Sequence, residues 1–230
     1  MPYSAVIFDL FGTLIDDFAA SVGAMHEEMV EALVVPYERF ISQWNQTADM
    51  RIAGGFDSVE ANIEYVCRAM NVHPEPAEIK HAVEIRMKYL RQALQPKPDA
   101  INTLNQLKNQ GYKIGLVSNC SIEIAILWPG TPFSNLIDTP IFSSVARLTK
   151  PDERIYHLAI EGLGVMPQSC LYVGDGEDRE LTAAAKVGLH PVLIRTSSLH
   201  QRKSHSHQDA REWQGATIAS LTEVLQLVNR

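Results

Sequence analysis

Four short runs of consecutive apolar residues, widely spaced along the chain, constrain its fold more than any other feature. They span residues 5–8, 114–117, 170–173 and 191–194, and a weaker fifth run spans 140–142. None alternates apolar with polar residues, so each is typical of a strand covered on both faces, as in a parallel sheet flanked by helices. Segments with helical spacing separate the runs. This alternation predicts an α/β fold with a doubly wound, Rossmann-like parallel sheet.

Only helical patterns are found between the first and second apolar runs. The clearest of them span residues 22–33, 59–70 and 79–94. The chain then passes through Pro96-Lys97-Pro98, a proline pair that favours an extended linker. We therefore predict two domains: a Rossmann-like core formed by residues 1–16 and 97–230, and an all-helical cap domain formed by residues 17–96.

Charge and composition restrict the partners of the protein. The formal net charge is −7 and no cluster of basic residues stands out, which argues against nucleic acid as a partner. No stretch is apolar enough to cross a bilayer, and no export signal is visible. The cysteines at 67, 120 and 170 are too few and too scattered for a disulfide framework or a zinc site. We predict a soluble, cytoplasmic monomer or homodimer that acts on a small-molecule substrate.

Polar residues follow the predicted strands at the points where ligands bind in doubly wound sheets. They are Asp9, Ser118-Asn119, Lys150 and the segment Gly174-Asp175-Gly176. A carboxylate held rigidly at the end of a buried strand is well placed as a nucleophile, which makes Asp9 the catalytic candidate. Ser118 and Asn119 offer a hydroxyl, an amide and backbone N–H groups to phosphoryl oxygens. The Lys150 ammonium can reach the same phosphoryl group and Asp9.

The pattern Asp9-x-x-Gly12-Thr13-Leu14, followed in order by these later elements, resembles the four motifs of the haloacid dehalogenase superfamily. The resemblance covers the whole chain, and the helical insert lies where the superfamily's first type of cap domain occurs. It implies a hydrolase in which Gly12 and Thr13 belong to the phosphate-binding group.

Magnesium is the cofactor that the acidic residues predict, because Mg²⁺ prefers hard oxygen ligands and usually keeps waters plus one or two protein carboxylates. Asp9 and Asp175 would supply those carboxylates, and the resemblance adds the main-chain carbonyl of Phe11. Asp178 and Glu180 follow within about a turn. They either hold metal-bound waters or stabilise the first turn of a helix.

Phe11 departs from the superfamily's phosphatase pattern. The resemblance implies a second Asp at this position, serving as general acid and later as general base, and phenylalanine cannot transfer a proton. Asp16, Asp17 and His26 stand near the start of the cap as candidate replacements. A substrate whose leaving group needs little protonation, such as an acyl phosphate, would also remove the need for that acid.

The function predicted is a magnesium-dependent phosphatase that acts on a small phosphorylated metabolite through an aspartyl-phosphate at Asp9. One alternative is a 2-haloacid dehalogenase, a branch that often has an aromatic residue at the position of Phe11 and expels a halide without a proton. Asp175 weighs against it, because it supplies a metal-binding carboxylate that metal-independent dehalogenases lack. The other alternative is a weakly active metabolite-binding protein with the same fold.

Two regions carry weaker signals. In the cap, Trp44, Arg51 and the segment Gly54-Gly55-Phe56 form the most suggestive cluster, and Arg51 is predicted to bind an anionic substrate. The segment 197–208 is rich in Ser, His and Gln and predicts a surface loop. Its three histidines are assigned no metal site.

Overall fold

Six parallel strands form one sheet in the computed structural model, which describes residues 3–16, 21–195 and 208–229. The strands are β1 Ala5–Phe8, β2 Lys113–Ser118, β3 Thr139–Phe142, β4 Cys170–Gly174, β5 His190–Ile194 and β6 Ala216–Ile218. Their order is β3-β2-β1-β4-β5-β6. The predicted doubly wound α/β fold and its five predicted strands are confirmed, and β6 is an additional strand at the edge.

Twelve α-helices accompany the sheet in the described residues. They are α1 Val22–Leu33, α2 Tyr37–Gln46, α3 Ala48–Ile52, α4 Val59–Ala69, α5 Pro76–Ala93, α6 Ala100–Asn109, α7 Ile122–Leu127, α8 Ser143–Ala146, α9 Glu153–Leu163, α10 Glu180–Lys186, α11 Gln208–Glu212 and α12 Val224–Val228. The helices predicted over residues 22–33, 59–70 and 79–94 correspond to α1, α4 and α5.

The strand β1 explains why the apolar runs are continuous. Val6 and Phe8 point to one face of the sheet and pack in a cluster with residues of α6, α7 and α12. Ala5 and Ile7 point to the other face and pack with residues of α9 and α10. Since successive side chains of a strand alternate between faces, both sets must be apolar when helices cover both sides.

The centre of the sheet brings the predicted site residues to one edge. β1 lies between β2 and β4, with Phe8 in register with Leu116 on one side and Val173 on the other. These three strands therefore end at nearly the same level. The strand order also reverses between β1 and β4, and such switch points are where doubly wound sheets bind ligands.

Helices α1 to α5 form an insertion between β1 and α6. They enclose an apolar cluster of their own, which includes Met29, Phe40 and Ile63. The chain enters and leaves the insertion side by side, because Ile15 forms an antiparallel bridge with Pro96. The division into domains at residues 16/17 and 96/97 stays a prediction.

The three cysteines are buried and free. Burial raises the pKa of Cys67 to about 11, that of Cys120 to about 12 and that of Cys170 to about 11. A thiol that does not ionise is a poor nucleophile, so these side chains act as small apolar residues. None of the helices in the described ranges combines the length and the apolar character needed to cross a bilayer.

Candidate active site

Asp9 directly follows β1 and is held at the centre of the sheet's carboxyl edge. Its N–H donates to the carbonyl of Val173, at 2.9 Å, so the strand pairing with β4 continues through this residue. The residue is only 4% exposed. Lys150 Nζ donates to Asp9 Oδ1 at 2.6 Å, whereas Oδ2 has no hydrogen-bond partner. Burying a carboxylate oxygen without a hydrogen-bond partner costs free energy, and a bound ligand would remove that cost.

Asp175 and Glu180 complete an acidic cluster with Asp9. One carboxylate oxygen from each of the three residues lies within 4.8 Å of the others, and all three are buried. Glu180, at the start of α10, accepts hydrogen bonds at Oε2 from Lys150 and from the Tyr172 hydroxyl, each at 2.7 Å. Lys150 thus forms ion pairs with two of the three carboxylates. The cluster carries more negative than positive charge at contact distance.

Two glycines let the carboxylates approach the backbone this closely. A Cβ atom on Gly12 would lie 2.2 Å from Asp175 Oδ2, and Gly12 also has a φ of 76°. A Cβ atom on Gly174 would lie 2.2 Å from Glu180 Oε1. Both distances are shorter than any non-bonded contact, so a larger residue at either position would displace an acidic side chain. The predicted role of Gly12 as a phosphate binder stays a prediction.

The acidic cluster perturbs the pKa values of its members. Burial raises the pKa of Asp9 to about 6, against the lowering effect of Lys150, and the nearby Asp175 raises it further. Burial likewise raises the pKa of Glu180 to about 8. Burial opposes the charge on Lys150, but its pairs with Asp9 and Glu180 outweigh this and raise its pKa well above the ordinary value. Lys150 is therefore a fixed cation.

Asn119 holds the backbone at Lys150. Asn119 Oδ1 accepts from the Lys150 N–H at 2.8 Å, and Asn119 Nδ2 donates to the Lys150 carbonyl at 3.1 Å. The same Nδ2 donates to Asp178 Oδ2 at 2.8 Å. The Asn119 side chain thus positions the backbone at Lys150, and the predicted role of Asn119 in phosphate binding stays a prediction. Asp178 contacts Asn119 and is not part of the three-carboxylate cluster.

Two buried hydroxyls of predicted phosphate-binding residues have no hydrogen-bond partner. They are Thr13 Oγ1 and Ser118 Oγ, and both residues are fully buried. The nearby Cys120 thiol is at most a weak partner for Ser118. Together with Asp9 Oδ2, three polar atoms of the predicted site are unsatisfied, which is rare in protein interiors. The observation fits a site that binds an oxygen-rich ligand.

Lys97 is a site residue that the sequence did not single out as one. Its Nζ donates to the carbonyl of Gly12, within the loop that follows Asp9. Burial lowers its pKa, although the surrounding aspartates, including Asp16, Asp175 and Asp9, oppose this. The lysine bridges the end of the insertion and the loop after β1, and the only signal in the sequence was its place between two prolines.

The residues proposed as replacements for the second Asp lie in different surroundings. Asp16 is exposed, and Asp17 lies outside the described residues. His26 is buried and lines a cavity that Phe11 also lines. Burial, with help from two nearby arginines, lowers the pKa of His26 to about 4. His26 is therefore neutral at physiological pH. The histidines at 200, 205 and 207 lie outside the described residues.

The donor set of the cluster fits a divalent cation such as Mg²⁺. Asp9, Asp175 and Glu180 offer only hard carboxylate oxygens, which Mg²⁺ prefers. The unpartnered Asp9 Oδ2 is a ready ligand atom. The Phe11 carbonyl as a ligand stays a prediction.

Magnesium affinity is expected to rise steeply with pH. A ligand such as Asp9 must be deprotonated, and a bound cation also favours loss of the proton from the neighbouring Glu180. Burial raises the pKa values of Asp9 and Glu180 to about 6 and about 8. Protons therefore compete with Mg²⁺ below about pH 8, and each released proton changes the affinity by about tenfold per pH unit. Calorimetric titration with Mg²⁺ in buffers of different ionisation heat measures both affinity and proton release. An affinity independent of pH, with no proton released, would contradict a magnesium site at this acidic cluster.

Comparison with known proteins places these features in a family. The family model of the haloacid dehalogenase-like hydrolases matches residues 3–188. The (S)-2-haloacid dehalogenase 4A of Burkholderia cepacia is 25% identical over 197 residues, which cover 83% of this chain and 82% of that protein. The glyceraldehyde 3-phosphate phosphatase of Methanopyrus kandleri is 26% identical over 170 residues, which cover 72% of this chain and 71% of that protein.

Solved structures show the same fold. A 2-haloacid dehalogenase from Pseudomonas syringae superposes with a TM-score of 0.71 at 16% identity and covers 99% of both chains. A HAD phosphatase from Thermococcus onnurineus superposes with a TM-score of 0.63 at 20% identity, covering 98% of this chain and 97% of the other. At these identities the likeness concerns the fold. The relatives include both dehalogenases and phosphatases.

Proposed function

This chain belongs to the haloacid dehalogenase-like hydrolases, and we propose that it is a magnesium-dependent phosphatase that forms an aspartyl-phosphate at Asp9 from a small phosphorylated metabolite. The observation that carries the proposal is the buried cluster of Asp9, Asp175 and Glu180 around Lys150. One lysine does not balance three acidic side chains when all of them are ionised. A divalent cation would restore the balance, whereas hydrolysis of a haloacid requires no such group of acids.

Asp9 and Asp175 would hold Mg²⁺ directly, with the Phe11 carbonyl, and Glu180 would stay paired with Lys150 at the rim of the metal site. When bound, the metal supplies positive charge that offsets the charge of the phosphoryl oxygens. The chain's own residues perform the remaining chemistry. The hydroxyls of Thr13 and Ser118, which have no hydrogen-bond partner among the described residues, would be available to a phosphoryl group.

The proposed reaction takes place in two displacements at phosphorus. In the first, an oxygen of Asp9 forms a bond to phosphorus while the bond to the leaving-group oxygen breaks, and the leaving group departs with that electron pair. In the second, water attacks phosphorus, the bond to Asp9 breaks, and inorganic phosphate leaves. The proton of the attacking water passes to solvent, and the Asp9 carboxylate is restored.

Lys150 has two tasks in this scheme. Its ammonium fixes Asp9 Oδ1 at 2.6 Å, which orients the carboxylate and leaves Oδ2 open. Its permanent positive charge also attracts the anionic substrate and stabilises charge that develops on the phosphoryl group. The hydroxyls of Ser118 and Thr13 would donate to phosphoryl oxygens, with the backbone N–H of Asn119. Helices α1 to α5, which we propose act as a cap over this edge, would limit access of water.

The rate is expected to depend steeply on the leaving group, because Phe11 cannot protonate it. Phe11→Asp should raise kcat/KM for phenyl phosphate by about 10²-fold, since a positioned general acid contributes about 10²–10⁴-fold. The same variant should change kcat/KM for 4-nitrophenyl phosphate little, as that leaving group needs no proton. Phe11→Asn, which has the shape of Asp without its proton, is the matched control. Equal gains with both substrates, or an equal gain in Phe11→Asn, would refute this account of Phe11.

A 2-haloacid dehalogenase is the second candidate function. It is favoured by the aromatic Phe11 and by similarity to the Burkholderia cepacia protein. In that reaction Asp9 would attack carbon, and halide would leave without a proton. The pocket residues of both reactions coincide, so the reacting atom has to be determined by assay.

One set of assays distinguishes the two functions. Phosphate release from 4-nitrophenyl phosphate and acetyl phosphate is measured with Mg²⁺ and with chelator, in parallel with chloride release from 2-chloropropionate. We expect phosphate release that requires Mg²⁺. Chloride release that is unaffected by chelator, without phosphate release, would assign the protein to the dehalogenases. Release of neither phosphate nor chloride in these assays would favour a metabolite-binding role.

A further inference from the structure

A cavity of about 300 Å³ lies between the insertion helices and the carboxyl edge of the sheet. Phe11 and Asn119 form part of its wall, so it adjoins the loops that follow Asp9 and β2. The opposite wall is formed by residues of α1, α2, α3 and α5. A group attached to a phosphoryl at Asp9 would extend into this cavity. Its lining therefore decides which leaving groups are accepted.

The lining of this cavity is cationic. Arg51 and Arg86 both contribute to the wall, and no acidic side chain of the described residues does. Arg86 is only 6% exposed and forms a buried ion pair with Glu123, which lies behind the wall. Arg51 forms no ion pair with any described residue. Counting these groups, the surroundings of the cavity hold two positive charges and one negative charge.

The Trp44 ring lies against both arginines without cancelling their charge. The Cζ atoms of Arg51 and Arg86 lie 4.3 Å and 4.8 Å from the centre of the Trp44 ring. Such stacking favours the cations and does not occupy the N–H groups, which lie in the guanidinium plane. Arg86 uses its three nitrogens toward Glu123, Met25 and Ser121. The low pKa of His26, about 4, keeps that ring neutral, so it adds no further charge at physiological pH.

Arg51 has donors to spare. Its Nη1 donates to the Trp44 carbonyl at 2.6 Å and to Thr47 Oγ1 at 2.5 Å, which anchors the side chain at the end of α2. Its Nη2 and Nε have no acceptor among the described residues. Two neighbouring N–H groups of one guanidinium match the two oxygens of a carboxylate. Burial and Arg86 lower the pKa of Arg51 to about 10, so the group is still charged.

We infer that this cavity recognises a single carboxylate on the leaving group of the substrate, through Arg51 with support from Arg86. This inference rests on the proposed function, which places the phosphoryl group of the substrate at Asp9. It adds that the leaving group carries a carboxylate. One uncompensated positive charge matches a carboxylate, which carries one negative charge. A second phosphoryl group would bring more negative charge than the cavity can balance.

Two pairs of compounds test the inference. The first pair, 4-carboxyphenyl phosphate and 4-carbamoylphenyl phosphate, has the same shape and differs in the charge of the leaving group. We expect kcat/KM to be about tenfold higher for the carboxylate, mainly through KM, because only the carboxylate forms charge-assisted hydrogen bonds with a guanidinium. The second pair, 4-hydroxybenzoate and 4-hydroxybenzamide, carries no phosphate, and its binding is measured by calorimetry without turnover.

Variants assign the preference to Arg51. Arg51→Gln should abolish the preference for the carboxylate in both pairs, and for the carboxylate ester the loss should appear mainly as a higher KM. Arg51→Lys keeps the positive charge but lacks the two neighbouring N–H groups of a guanidinium, so it should show an intermediate preference. Arg39→Gln is the matched control on α2, because Arg39 is exposed and donates to the Met70 carbonyl away from the cavity.

The outcomes separate this inference from the proposed function. Preferential binding of 4-hydroxybenzoate that Arg51→Gln removes, without phosphate release from either ester, would uphold the carboxylate pocket and reject the phosphatase. Phosphate release from both esters at equal kcat/KM would uphold the phosphatase and overturn the pocket. A preference that survives in Arg51→Gln, or absence of 4-hydroxybenzoate binding, also overturns it.

Discussion

Asp9→Asn is expected to lower magnesium-dependent phosphate release by about 10⁴-fold or more, because removal of a catalytic nucleophile has effects of about this size. Asparagine keeps the shape of the side chain but cannot form the aspartyl-phosphate. The variant is compared with the native protein at saturating 4-nitrophenyl phosphate. Asp57→Asn, at an exposed residue that pairs with Arg147, is the control and should keep full activity.

The same variant is expected to fold at least as stably as the native protein when Mg²⁺ is absent. The folded-state pKa of Asp9, about 6, lies above its usual value of 3.8. An acid whose pKa is raised by folding stabilises the folded protein at low pH, and this stabilisation is lost as the pH rises through about 6. The charge on Asp9 is therefore unfavourable for folding at neutral pH. Asparagine removes that cost. An unfolded Asp9→Asn protein would therefore contradict the electrostatic account, and full activity would contradict the nucleophile.

Lys150→Met is expected to lower the free energy of unfolding by about 3–5 kcal/mol, the usual cost of removing one partner from a buried ion pair. Asp9 and Glu180 would then face each other and Asp175 without a compensating charge. Urea denaturation at neutral pH measures the change, and activity should fall as well. Mg²⁺ should recover part of the stability, because it supplies the missing positive charge.

A surface lysine provides the comparison for this measurement. Lys88 pairs with Glu28 at 2.7 Å, but both side chains are largely exposed. Lys88→Met should therefore lower the free energy of unfolding far less than Lys150→Met does. If Lys150→Met proves as mild as Lys88→Met, the cluster is not an ion-paired site of the kind described.

The strands and three of the insertion helices were predictable because their signals are local. Continuous apolar runs reflect coverage of both faces of the sheet, and they predicted β1 to β5. β6 escaped prediction because Ala216–Ile218 is short and largely exposed at the edge of the sheet. Exposed side chains need not be apolar, so the sequence of such a strand contains no apolar run. The strand forms through its pairing with β5.

The acidic cluster was only partly predictable. Asp9 and Asp175 follow apolar runs, Lys150 precedes Pro151, and the topology brings the three residues together. Glu180 had two interpretations in the sequence, and the choice between them depends on the close approach to Gly174. Asn119 was predicted to bind phosphate, yet its side chain is occupied by the backbone of Lys150, a contact across 31 residues.

The cavity lined by Arg51 and Arg86 was less predictable from the sequence than the acidic cluster. Arg51 and Trp44 were suggestive in the sequence, but Arg86 was not, because a charged residue on a helix usually faces solvent. Its burial depends on Glu123, which lies 37 residues away in the chain. Pairing over such distances leaves no periodic signal. The neutral state of His26 likewise follows from its neighbours in space and has no counterpart in the sequence.

The central claim is that phosphate becomes covalently attached to Asp9, and chemical trapping tests it most directly. The protein is mixed with Mg²⁺ and acetyl phosphate, quenched in acid and reduced with borohydride, which converts an aspartyl-phosphate to homoserine. Mass spectrometry of the peptide that contains Asp9 then locates the change. The account predicts homoserine at Asp9, dependent on Mg²⁺ and on substrate. Magnesium-dependent phosphate release with an unmodified Asp9, or with homoserine at another aspartate, would contradict it.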